Sequence, residues 1–103
     1  MDRIAYLQTI IEEDPETPFP YFALAKEFEK KSDFSAAKSN YEYLRHHHPK
    51  YVGTYYHLGK LMEKLDHLDE ALAVYEQGII VAEEQNDLHS RSELQGAKDM
   101  LTI

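Results

Sequence analysis

Residues 18–51, PFPYFALAKEFEKKSDFSAAKSNYEYLRHHHPKY, and residues 52–85, VGTYYHLGKLMEKLDHLDEALAVYEQGIIVAEEQ, lie on one another without a gap at a shift of 34 residues. Tyr21 falls on Tyr55, Leu24 on Leu58, Ala25 on Gly59 and Phe28 on Met62. Further along, Phe34 meets Leu68, Ala37 meets Ala71 and Tyr41 meets Tyr75. The polar positions recur as well: Lys26 with Lys60, Glu29 with Glu63, Lys30 with Lys64, and Asp33 opposite His67. Self-similarity at a fixed period of this length marks supersecondary units that cannot bury their apolar faces alone and stack on their neighbours.

Each segment reads as two helices. Tyr21, Leu24, Ala25 and Phe28 share one helical face by their i, i+3, i+4, i+7 spacing. Ser32-Asp33 interrupts the pattern, and Ala37, Tyr41 and Leu44 define a second face before Pro49 ends it. In the second segment Tyr55, Leu58, Gly59 and Met62 precede a turn at Asp66, followed by Ala71, Leu72, Tyr75 and Ile79. The small residues have a steric role: Ala25 or Gly59 facing Ala37 or Ala71 lets two antiparallel helices approach while aromatic rings fill the space around them.

The order of these residues resembles the tetratricopeptide repeat (TPR): an aromatic, Leu-Gly or Leu-Ala, a bulky apolar residue, then Ala, an aromatic and a closing Pro. Tyr55, Leu58, Gly59, Ala71 and Tyr75 carry the match in one segment, and Tyr21, Leu24, Ala25, Phe28, Ala37, Tyr41, Leu44 and Pro49 in the other. Two positions depart from it. Gly78 stands where Ala is usual and Glu83 where Pro is usual, so the last helix of the second repeat is expected to be looser or longer. The resemblance implies an all-α fold, a right-handed α–α superhelix (a TPR-like solenoid) of about six antiparallel helices. Residues 18–51 and 52–85 are the two full repeats within a single domain spanning 1–103.

The register also runs backwards, placing Leu7, Ile10 and Pro15 beneath Tyr41, Leu44 and Pro49, so residues 2–16 read as the second helix of a leading half repeat. Forwards it fails, because Ser92 and Glu93 occupy the Leu and Gly places. Residues 88–101 instead read as a terminal capping helix, with Ser90-x-x-Glu93 as a capping-box pattern and Leu94, Ala97 and Leu101 on one face.

Bulk composition narrows the function. A chain of 103 residues with 43% hydrophobic residues can build a core despite a mean hydropathy of −0.60. With no cysteine there is no disulfide scaffold, thiolate metal site or cysteine nucleophile. The formal net charge of −8 disfavours nucleic acid and anionic membranes as partners. No signal pattern or membrane-length apolar run occurs, so a soluble, cytoplasmic protein is expected. No phosphate loop, nucleophile elbow or His-Glu-x-x-His stands in the sequence, and an enzyme is not expected. No cofactor is expected either.

In the TPR fold the first helix of each pair lines a concave groove, and the resemblance therefore implies a module or adaptor that binds a protein or peptide segment there. The stripe beside the core face reads Phe22, Lys26, Glu29 and Lys30 in one repeat and Tyr56, Lys60, Glu63 and Lys64 in the other, with His57 beside it and Phe19 and Tyr51 at helix starts. An aromatic floor with a row of lysines suits a peptide carrying acidic and apolar residues; the plainer reading is a set of solvated helix residues with weak Lys–Glu pairs. The carboxylate clamp of chaperone-binding TPRs is not expected: Phe22, Lys26, His57 and Asp87 stand at four of its five places, and Arg91 alone matches. Nor is a metal site, since His46-His47-His48 on one helix point about 100° apart in succession. The alternative reading is a self-associating unit, such as a homodimer or a small subunit of a larger complex, that uses end surfaces: the helix with Ile4, Leu7 and Ile11, and the tail with Leu101 and Ile103.

Overall fold

The computed structural model describes residues 2–103, and its described residues form six α-helices. These are α1 (Arg3–Glu13), α2 (Phe19–Lys30), α3 (Phe34–His47), α4 (Gly53–Lys64), α5 (Leu68–Glu84) and α6 (Leu88–Leu101). The all-α repeat architecture expected from the sequence is the one observed. The chain divides into two compact units, the first ending at Tyr51 and the second beginning at Val52.

In unit one, α2 packs against both α1 and α3. Leu7 of α1 is buried with Ala23 and Leu24 of α2, and Ile4, Ile10, Ile11 and Phe28 close over them. The apolar face of α1, expected at an exposed end, is thus covered by α2. On the other side of α2, Ala25, Ala37, Tyr41 and Leu44 are fully buried.

In unit two, α5 packs against α4 and α6, and α4 also meets α6. Tyr55, Leu58, Ala71 and Tyr75 have no exposed surface, and Leu61, Met62, Val74 and Leu94 have almost none. Two glycines permit this packing. A Cβ at Gly59 would stand 2.2 Å from Tyr75 Cε1, and one at Gly78 would stand 2.5 Å from Tyr55 Cβ and 3.0 Å from Leu94 Cδ1. Gly78, a departure from the usual Ala, is therefore matched to the ring it lies under. Gly96 differs: no heavy atom comes within 4 Å of its Cβ position, so packing does not account for it.

The turns reuse one device. Ser32, Asp66 and Asn86 follow α2, α4 and α5 with φ of 59°, 64° and 55°. At each, paired backbone bonds close the helix: Asp33 N–H to the Phe28 carbonyl with Ser32 to Glu29, His67 to Met62 with Asp66 to Glu63, and Asp87 to Ala82 with Asn86 to Glu83. These are Schellman closures, which satisfy the orphan carbonyls at a helix end. The next residue then starts the following helix. Asp33 caps Ala36 N at 3.2 Å and Asp87 caps Ser90 N at 3.1 Å, whereas His67 makes no side-chain cap. The expected capping box at Ser90-x-x-Glu93 is corrected accordingly: α6 begins at Leu88, Asp87 is its cap, and Ser90 Oγ donates back to Asp87 at 2.8 Å. Where Pro49 follows α3, that helix has 14 residues; α5, with Glu83 in the corresponding place, has 17 and ends at the Asn86 turn.

Candidate functional site

The residues singled out on α2 and α4 divide into those held by the fold and those that present a surface. Glu29 and Glu63 belong to the first kind. Tyr41 donates its phenol hydrogen to Glu29, and Tyr75, at the matching position, donates to Glu63. Each bond spans a helix pair and ties a fully buried ring to a half-buried carboxylate. Burial first, and the acceptor carboxylate second, push both phenols well above the ordinary tyrosine value. The two carboxylates expected in a binding groove thus also lock one helix to the next.

Phe22 is likewise part of the packing of unit one. Its ring lies 6.5 Å from Phe19, 6.2 Å from Tyr41 and 5.8 Å from Tyr51, centroid to centroid. Phe19 stays more than half exposed. Lys30 reaches Glu27 Oε2 at 3.0 Å, and Arg3 of α1 meets the same oxygen at 3.4 Å. The Lys30 hydrogen bond holds the Glu27 carboxyl below its usual range. Lys26 is half-buried on α2.

On α4, Lys60 and Lys64 are exposed and Tyr56 and His57 half-buried. Lys60 Nζ sits 5.6 Å from the Tyr56 ring centroid and 3.7 Å from Glu63 Oε2. The His57 ring stands edge-on to Tyr56 at 5.4 Å. Both rings line a pocket of about 180 Å³ with Val52, Gly53, Ser90, Glu93 and Leu94, so α4 and α6 form its two walls. The sequence pointed to Tyr56 and His57 but not to Ser90 and Glu93, which enter because α6 packs beside α4. Chemically the pocket offers an aromatic face, an imidazole, a hydroxyl and a carboxylate, a set suited to recognition.

A larger cavity of about 430 Å³ lies within unit one, lined by Pro18, His47, His48, Pro49, Lys50 and Tyr51. The histidine run does not converge on a point: α3 ends at His47, His48 is its C-cap, and the His46 and His47 rings stand at 86°. Among the described residues no group of three or more His, Asp or Glu is arranged to hold a metal ion. No helix of the described residues is long and apolar enough to cross a membrane.

No protein-family model and no curated protein matches the chain. Solved structures do. A crystal structure of a tetratricopeptide repeat domain protein from Salinibacter ruber is 48% identical, with 84% of this chain and 96% of that chain covered and a TM-score of 0.80. A solution NMR structure of a tetratricopeptide repeat domain protein from the same organism is 50% identical, covering 85% and 89%, with a TM-score of 0.81. Identity at this level over most of both chains joins the paired helices, the recurrent Tyr and Ala core and the Schellman turns to a known repeat. The chain belongs to the tetratricopeptide repeat family, a helical repeat fold of protein-interaction modules.

Proposed function

We propose that this protein is an interaction module that binds a peptide or protein segment on the faces of its first helices, with α4 as the principal contact surface. The observation that carries this reading is the pocket between α4 and α6, where Tyr56 and His57 meet Ser90 and Glu93 beside the Lys60–Tyr56 pair. Aromatic rings give contact area at small entropic cost, and a lysine over a ring suits a segment with acidic and apolar residues. On α2, Phe22, Lys26 and Lys30 stand where Tyr56, Lys60 and Lys64 stand on α4, with Phe22 packed against Tyr41 and Tyr51.

The test is peptide selection from a random display library on the immobilised protein. The affinity of the selected peptides is then compared between wild type and a Tyr56→Ala, Lys60→Glu variant. Selected peptides rich in acidic and apolar residues that bind the variant about tenfold more weakly would support the reading; equal affinity would remove it.

A second reading, self-association through α6 and the residues after it, is favoured by apolar exposure: Leu88 is 75% and Met100 71% exposed in α6, and Ile103, beyond it, 96%. It requires thermal stability to fall on dilution, since folding would then be tied to association.

A further inference from the structure

The cavity of unit one shares no lining residue with the α4–α6 pocket, and its chemistry is distinct. Its volume of about 430 Å³ falls within the range of ligand-holding pockets, roughly 300–1,000 Å³. Pro18, Pro49 and Tyr51 supply flat apolar walls; His47, His48 and Lys50 supply N–H donors; no carboxylate lines it. In a chain of formal charge −8, the one formally charged lining residue is a cation, Lys50. Asp14 and Glu16, in the loop before α2, act on the Tyr21 phenol and do not line the cavity.

Both sides of the cavity are anchored to the core. The Tyr51 ring leans on Phe22, which meets the fully buried Tyr41. The His47 ring lies 4.2 Å from Tyr43, which stacks at 4.4 Å on the buried Tyr21. Two rows of rings, Tyr51–Phe22–Tyr41 and His47–Tyr43–Tyr21, therefore hold the walls in place. A pre-formed cavity costs an incoming group little ordering free energy.

We propose that this cavity is a separate binding site that takes an aromatic side chain flanked by carboxylates on a partner peptide. The ring lies against Tyr51 and the two prolines, where aromatic contacts are favourable. The flanking carboxylates accept from His47, His48 and Lys50, and charge-assisted bonds of this kind are the stronger ones. A peptide with cationic flanks forgoes the bond from the Lys50 ammonium and is repelled by it. This site stands independently of the α4 surface.

The experiment is an amide chemical-shift titration of the full chain with acetyl-Glu-Phe-Glu-amide, and in parallel with acetyl-Lys-Phe-Lys-amide. The expected result is saturable shifts at His47, His48, Lys50 and Tyr51 with the acidic peptide alone. His47 and Lys50 are exposed, so a His47→Ala, Lys50→Ala variant keeps its fold. That variant should bind about tenfold more weakly. Lys31→Ala, which removes one charge from an exposed turn, should leave binding unchanged. Equal response to the lysine peptide, saturable shifts confined to α4 and α6, or no saturable shift at all would each overturn the proposal.

Discussion

The ring of Tyr75 lies so close over Gly59 that a Cβ on that glycine would stand 2.2 Å from Tyr75 Cε1. Tyr75 has no free volume to retreat into, being fully buried and bonded through its phenol to Glu63. Gly59→Ala should therefore cost about 1–3 kcal/mol through overpacking, and Gly78→Ala, which would press on Tyr55 and Leu94, a similar amount. Gly96→Ala should act in the opposite sense. It has open space and a helical backbone, so removing the glycine should add up to about 1 kcal/mol. Denaturant unfolding of the three variants reads the signs directly.

The left-handed turn residues give a second set. Only glycine adopts φ near +60° without a steric cost, yet this chain uses Ser32, Asp66 and Asn86. Ser32→Gly should stabilise by about 0.5–1 kcal/mol, with smaller gains at Asp66 and Asn86, since short Asp and Asn side chains tolerate this conformation. His67, the one uncapped start among the three turns, should gain about 0.5–1 kcal/mol as His67→Asn, which supplies a neutral capping oxygen. Thermal midpoints measured one substitution at a time test each.

Stability should fall in alkali. Burial first, with the neighbouring Tyr43 hydroxyl second, pushes Tyr21 from the ordinary value of 10.0 up to about 12. Burial and their carboxylate partners push Tyr41 and Tyr75 in the same direction, and burial raises Tyr51. For a phenol raised in the folded state, the unfolded chain loses its proton first. The stabilisation is complete below the unfolded value, about pH 10, and is lost as pH rises through the folded values. A Tyr41→Phe, Tyr75→Phe variant should show a shallower alkaline loss. At neutral pH it should be less stable by about 1–2 kcal/mol, because Glu29 and Glu63 lose a buried donor. Unfolding measured from pH 7 to 12 in both proteins checks the sign and the slope.

Thr54 carries a stability reserve. Its side chain is fully buried in α4 and its Oγ1 has no hydrogen-bond partner. Thr54→Val keeps the shape and removes the unsatisfied hydroxyl, so it should stabilise by about 1–2 kcal/mol. A loss of stability in chemical denaturation would show that the hydroxyl is satisfied in solution.

Much of this fold was legible before any coordinates, for a physical reason. Tyr21, Leu24, Ala25, Ala37, Tyr41 and Leu44 recur 34 residues on because one packing solution is used twice, and burial of small against aromatic residues leaves little freedom in their spacing. Ser32 and Asp66 stood out because they interrupt that spacing. What stayed hidden depends on partners from another helix. Nothing near Glu29 or Glu63 in sequence shows that each meets a phenol twelve residues on, across a turn. The fit of Gly78 depends on Tyr55, and the wall made by Ser90 and Glu93 depends on how α6 lies beside α4. The range 88–101 was legible, but its cap was not: Ser90 and Glu93 mimic a capping pair, while Asp87 three residues earlier takes that role. The cavity of unit one was invisible because it forms where the Pro49–Tyr51 segment returns beside Pro18.

The most direct test of the account is amide chemical-shift mapping of the protein with a display-selected peptide. The largest shifts should fall on α4, at Tyr56, His57 and Lys60, with Ser90 and Glu93 responding through the shared pocket. Shifts confined to the outward faces of α3 and α5, with these residues silent, would contradict it.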